Sequence, residues 1–180
     1  VNTPGASSIS VAELVFAHLF SLCRFTHRST HAMECGEWPK KDYTGIELTG
    51  KTIGLIGFGN ISKEVAKRAL GLGMKVQVFN RSAITPEGGI TVANDLDTLL
   101  STSDFVSLHI PLDKEKGATI GEAELAKMKD GAILVNCARG GTVDEEALLS
   151  ALKSGKLAGA GIDVWTNEPC TEAQTELINH

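Results

Sequence analysis

The stretch Lys51-Thr52-Ile53-Gly54-Leu55-Ile56-Gly57-Phe58-Gly59-Asn60-Ile61-Ser62 decides the fold. Lys51–Ile56 reads as a short strand. Gly57 and Gly59 break it, and a helical pattern follows over Asn60–Leu72, with Ile61, Val65 and Ala69 on one face and Gly71 and Gly73 as stops. A strand that turns on glycine straight into a helix has a specific chemical use. The first glycine makes the tight turn, and the second lets backbone approach a pyrophosphate. The helix N-terminus offers N–H groups and the positive end of its dipole to that anion. The position that governs close helix–strand packing is usually a third glycine and here is Ser62, still a small residue. The glycine pattern alone would be a weak signal; its strand–turn–helix context carries the dinucleotide reading.

Outward from this unit the same alternation repeats. Strands are expected at Lys75–Phe79, Gly88–Val92, Asp104–Leu108, Ala132–Val135 and Leu157–Ile162. Helices are expected at Asp95–Leu100, Ile120–Lys129 and Asp144–Lys153, the last with acidic residues in its first turn and Gly155 just past its end. Short apolar runs between amphipathic helices signal βαβ units and a parallel sheet covered on both faces. The expected class is α/β: a Rossmann-type, doubly wound parallel sheet with helices on both faces. Ahead of it, residues 8–32 read as one long helix with a thin polar stripe (Ser10, Glu13, Ser21, Arg24), and Cys35–Gly50 as an arm broken by Gly36, Pro39 and Gly45. The whole chain, 1–180, reads as one domain: helix and arm over 1–50, core over 51–168.

Composition narrows the function classes. The chain has 180 residues, 42% hydrophobic and 22% charged, so it can bury a core. With 17 Lys+Arg against 22 Asp+Glu the net charge is −5, which argues against a nucleic-acid or acidic-membrane surface. The most apolar run, Ile9–Phe25, contains Glu13, His18 and Arg24, whereas a membrane span needs about 20 predominantly apolar residues. The N-terminal VNTPGASSIS lacks the basic region of a secretory signal. Cys23, Cys35, Cys137 and Cys170 form no CxxC clip, which favours a reduced, cytoplasmic compartment. No His/Cys cluster has metal-ligand spacing, and neither GxSxG nor HExxH occurs.

In an open α/β sheet, ligands bind outside the carboxyl ends of the strands. Gly57, Asn80, His109, Arg139 and Asp163 each lie at or just past the end of a different expected strand, so they should gather along one edge. An acidic residue that holds the adenosine ribose is expected about 20 residues after the glycine turn; the chain has Asn80-Arg81-Ser82. Asn80 can bond a hydroxyl without repelling a phosphate, and Arg81 can pair with a 2′-phosphate or be a solvated turn residue. Either NAD(H) or NADP(H) is therefore expected to bind. Arg139, in Asn136-Cys137-Ala138-Arg139-Gly140-Gly141, is placed for a carboxylate or carbonyl oxygen, or for pairing with the acidic start of the next helix. His109, in His109-Ile110-Pro111, is not read as a proton donor. Asp163 and Glu168 are two carboxylates in a segment leaving the sheet, one of which could be structural.

The sequence also resembles the D-isomer-specific 2-hydroxyacid dehydrogenases, most closely their 3-phosphoglycerate dehydrogenase branch. The matching stretches are Asn2-Thr3-Pro4-Gly5, Val11-Ala12-Glu13, residues 45–51 with Gly57-Phe58-Gly59-Asn60-Ile61, His109-Ile110-Pro111-Leu112, residues 128–145, residues 149–161, and Ile162-Asp163-Val164-Trp165-Thr166-Asn167-Glu168-Pro169. The resemblance implies hydride transfer between a nicotinamide and a 2-hydroxy or 2-keto acid, with 3-phosphoglycerate, and hence serine biosynthesis, as the leading substrate. It implies that Arg139 holds the substrate carboxylate and polarises the keto oxygen. Asp163 touches the nicotinamide, and Glu168 orients a histidine and raises its pKa. Cofactor contacts are expected at Gly57, Gly59, Asn60, Ile61, Asn80, Arg81, Ser82, His109, Ile110, Pro111, Cys137, Ala138 and Arg139. The acid/base histidine and the substrate domain are expected outside these residues, since His180 matches a position ahead of the family's Pro-His stretch, so this chain alone is expected to bind cofactor without turnover. A homodimer through the N-terminal helix and its arm is also implied. Other readings are a hydroxypyruvate or glyoxylate reductase, another NAD-dependent enzyme with a related domain such as formate dehydrogenase, and a dinucleotide-sensing corepressor of the same fold.

Overall fold

A computed structural model describes residues 7–85 and 88–180; the Asn2–Gly5 stretch of the resemblance lies outside the described residues. Six parallel strands form one sheet: β1 (Thr52–Ile56), β2 (Lys75–Phe79), β3 (Ile90–Val92), β4 (Phe105–Leu108), β5 (Ala132–Asn136) and β6 (Leu157–Ile162), in the order β3-β2-β1-β4-β5-β6. The chain winds outward from β1 to β3, then returns beside β1 to build β4 to β6. The crevice between β1 and β4 is therefore the topological switch point.

Strand alternation assigns the two cores. Ile53, Leu55, Phe105, Ile133 and Val135 point to the face covered by α1 (Ser8–Arg24) and α3 (Asn60–Gly71). Ile56, Val106, Leu108, Ala132 and Leu134 point to the face covered by α4 (Leu96–Thr102), α5 (Glu122–Lys127) and α6 (Glu145–Lys153). All residues of β4 and β5 are buried, as a parallel sheet covered on both faces requires. Helix starts follow the sequence: Asp95 accepts from the Thr98 N–H at 2.6 Å, and Asp144 from the Glu146 and Ala147 N–H groups at 3.0 Å each.

Three features differ from the expectation. The single helix over 8–32 is two helices, α1 and α2 (Thr26–Glu34), bent by 56°. The break is Phe25, a non-glycine residue at φ 53. Its ring packs on Tyr43 at 5.7 Å between centroids, and the freed Cys23 carbonyl accepts the N–H of Ile46 at 2.9 Å. The returning arm thus satisfies the helix end that a continuous helix would have satisfied itself. Beyond the expected core, α7 (Glu172–Ile178) starts at Thr171, whose N–H donates to the Gln174 side chain at 2.8 Å. Ile120, expected to begin α5, instead forms a parallel bridge with Val143.

Candidate functional site

The strand-end positions do gather. Gly57 follows β1, Asn80 follows β2, His109 follows β4, Cys137 follows β5 and Asp163 follows β6, all on the carboxyl edge of one sheet. Gly57 sits at φ +91, and a β-carbon there would lie 2.6 Å from the His109 carbonyl oxygen. Only glycine meets both demands, and the β1 and β4 ends can approach closely because of it. At Gly59, the N-cap of α3, a β-carbon would meet nothing within 4 Å, and no side chain caps the helix. The first N–H groups of α3, those of Asn60 and Ile61 among them, thus meet no side-chain cap, the arrangement an anionic group needs.

Beside this turn lies a cleft of about 630 Å³ lined by Gly57, Asn80, Arg81, Ser82, Ile110 and Pro111, and by the charged Asp113, Lys114 and Glu115. Asn80 is partly committed: its Oδ1 accepts the Phe58 N–H at 3.3 Å, and its Nδ2 donates to the Ser82 carbonyl at 3.1 Å. That amide ties the glycine turn to the end of β2. The Arg81 guanidinium is exposed and lies 3.8 Å from Asp113.

His109 is held by its own backbone, whose N–H donates to the Ile56 carbonyl at 2.8 Å. Its Nε2 is sealed from solvent and finds no partner among the described residues, and burial pushes its pKa down to about 4. It is neutral at physiological pH.

Arg139 stands on a locked loop. The Asn136 side chain accepts the Ala138 N–H at 3.1 Å and donates to the Arg139 carbonyl at 3.2 Å and to Thr142 Oγ1 at 3.0 Å. Thr142 Oγ1 in turn donates to the Arg139 carbonyl at 2.7 Å. The backbone is fixed while the guanidinium, on an exposed residue, donates among the described residues to the adjacent Ala138 carbonyl at 2.6 Å. Cys137 is buried in the core under α1, and burial with the nearby Asp163 carboxylate pushes its thiol up to about 12. It is no nucleophile at neutral pH; what it and Ala138 offer the edge is backbone.

The segment carrying Asp163 and Glu168 packs directly on the Arg139 loop. A β-carbon on Gly140 would overlap the Trp165 carbonyl. Asp163 donates its N–H to the Asn136 carbonyl at 3.0 Å, and Glu168 Oε1 accepts the Trp165 N–H at 2.9 Å. Both carboxylates are on exposed residues. Glu145, not singled out in the sequence, anchors this region: it accepts the Thr166 N–H at 2.7 Å and the Gln174 amide at 3.1 Å. Its place in the first turn of α6 is visible in the sequence, but not its reach to residues 166 and 174. His180 lines a separate cavity with Ile162, Trp165 and residues of α1, and its carbonyl is bonded by Arg28 at 3.0 Å. No group of three or more metal-ligating side chains occurs among the described residues.

An uncapped helix N-terminus at the switch point of a doubly wound sheet, with a cleft beside it, defines a dinucleotide-binding domain. The model of the D-isomer-specific 2-hydroxyacid dehydrogenase NAD-binding domain matches residues 16–180, and the chain belongs to that family. It is 51% identical over 173 residues to a hydroxypyruvate reductase of Thermotoga maritima, covering 96% of this chain and 56% of that protein. It is 42% identical over 172 residues to a D-3-phosphoglycerate dehydrogenase of Methanocaldococcus jannaschii, covering 94% of this chain and 33% of that one. A glyoxylate reductase from Paecilomyes thermophila superposes with a TM-score of 0.91 at 40% identity, over 99% of this chain and 54% of that chain. The chain thus spans between a third and just over half the length of these relatives.

Proposed function

We propose that these residues form the cofactor half of an NAD(P)-dependent oxidoreductase that interconverts a D-2-hydroxy acid and its 2-keto acid. One observation carries the reading: an uncapped α3 N-terminus and a positionally locked Arg139 stand on the same sheet edge. A bound nicotinamide dinucleotide supplies a hydride acceptor or donor. The α3 N-terminus takes the pyrophosphate, at a turn kept tight by Gly57, with Gly59 leaving room for the approach. The cleft lined by Asn80, Arg81, Ser82, Ile110 and Pro111 takes the adenosine end, with no carboxylate at position 80 to exclude a 2′-phosphate. Asp163 and the backbone at His109, Cys137 and Ala138 face the nicotinamide end.

Arg139 binds the substrate carboxylate and stabilises charge on the keto oxygen; its fixed backbone keeps the guanidinium pre-oriented. Glu168 orients a histidine that lies outside these residues and raises its pKa by favouring the imidazolium. That histidine moves the proton to or from the substrate oxygen. We assign residues 1–180 to a single cofactor domain, with α7 completing it beyond residue 168.

Three short acids are candidates: 3-phosphoglycerate, which would link the enzyme to serine biosynthesis, and hydroxypyruvate and glyoxylate. The 51% identity to a hydroxypyruvate reductase favours the second as the alternative to the first. We further propose a cytoplasmic location, in keeping with four free cysteines, and a homodimer through α1 and the arm, where Ile9, Phe20 and Trp38 stand exposed. No single helix among the described residues is long and apolar enough to cross a membrane. Turnover of the three acids by the complete enzyme, followed by nicotinamide absorbance, tests the reading. Reduction of none of the keto forms, with either dinucleotide, contradicts it.

A further inference from the structure

The cofactor cleft has a charged mouth that the function above does not account for. In the absence of a carboxylate at position 80, the end of β2 itself presents no anion to a 2′-phosphate. Across the cleft, however, Asp113 Oδ2 lies 3.8 Å from Arg81 Nη1. The Asp113 side chain retains 29% exposure against 70% for Arg81, so the carboxylate is the better-seated partner.

Its position is built. Asp113 Oδ1 accepts the N–H groups of Glu115 and Lys116 at 3.2 and 3.4 Å, and the Asp113 carbonyl accepts the Gly117 N–H at 2.9 Å. Asp113 and Gly117 pair as an antiparallel bridge, with Gly117 at φ +72 closing the turn. One carboxylate oxygen is used to fold the turn, which leaves Oδ2 aimed at Arg81. Lys116 reaches the same oxygen from 4.0 Å. Arg81 is exposed and lines the cleft within reach of this carboxylate.

We infer that Asp113 sets the enzyme's choice between NAD(H) and NADP(H), by holding Arg81 at the cleft mouth and by opposing a phosphate there. In this arrangement the discriminating carboxylate stands on the facing loop instead of at the end of β2. A 2′-phosphate must displace Asp113 from Arg81 and sit beside the displaced anion; a 2′-hydroxyl pays neither cost. The inference rests on the dinucleotide reading of this cleft.

The test is titration of both reduced dinucleotides into wild type, Asp113→Asn, Arg81→Ala and the double variant. Asparagine keeps an oxygen for the Glu115 and Lys116 N–H groups, so the turn is retained and only the charge is lost. Asp113→Asn is expected to raise the NADPH-to-NADH affinity ratio by about two- to fivefold, the range a solvent-screened ion pair covers. Arg81→Ala is expected to lower that ratio more in the Asp113→Asn background than in wild type, because only there is the guanidinium free for the phosphate. An unchanged ratio in Asp113→Asn, with NADH still bound, overturns the inference alone. Equal effects of Arg81→Ala in both backgrounds overturn it as well. Failure of wild type to bind either dinucleotide overturns the cofactor reading together with it.

Discussion

Lowering the pH from about 7 to about 4.5 turns His109 into a liability for the fold. Its pKa is about 4 in the folded protein against 6.5 for an ordinary histidine, because burial of the ring penalises its charged form and Nε2 finds no partner among the described residues. Between those two values the unfolded chain binds a proton at this site and the folded chain does not, so stability falls as pH falls from 6.5 toward 4 and levels off below. The full linkage is roughly 3 kcal/mol, and the part expressed between about pH 7 and about pH 4.5 is roughly 2 kcal/mol. Urea denaturation of wild type and His109→Gln at both pH values isolates it. The carboxylates titrate alike in both proteins, so the variant should lose about 2 kcal/mol less on acidification, whatever its stability at pH near 7. Superimposable pH profiles would refute the reasoning: either the ring is solvated or it finds a partner for its proton.

Gly57→Ala should lower stability by about 1–3 kcal/mol, from a β-carbon in the left-handed region and its collision with the His109 carbonyl, and should weaken dinucleotide binding; thermal melts and titration measure both. Glu145→Ala should cost about 1–3 kcal/mol by leaving the Thr166 N–H and the Gln174 amide unpaired, and limited proteolysis should then cut between residues 163 and 172. Arg139→Ala in the complete enzyme should weaken 2-keto acid binding by about tenfold to a hundredfold while NADH affinity stays nearly constant, as judged from KM and fluorescence titration.

The strands and their edge were readable because both follow from local pattern. A buried parallel strand needs a short apolar run, and every functional strand end is marked by a residue that interrupts one: Gly57, Asn80, His109. The bend at Phe25 was not readable. No glycine or proline announces it, and a left-handed phenylalanine is held there by Tyr43 and by Ile46 of the returning arm, contacts made only in the folded chain. The start of α7 was readable in principle, since Thr171 with Gln174 has capping-box spacing. At the site, the sequence placed Arg139 and Glu168 near the same edge but not the Gly140–Trp165 packing that joins their loops. Arg81 was visible as a basic turn residue. Its neighbour Asp113 was not, because the pairing spans the crevice and depends on how the turn after Leu112 folds back.

The central claim is that a dinucleotide binds this sheet edge with its pyrophosphate on the α3 N-terminus. The most direct measurement is a fluorescence titration of NADH into the 180-residue chain. Saturable binding at one site per chain, competed by NAD and sharply weakened in Gly57→Ala, is the predicted result. Signal that rises linearly without saturation, or binding unaffected in Gly57→Ala, would contradict the account.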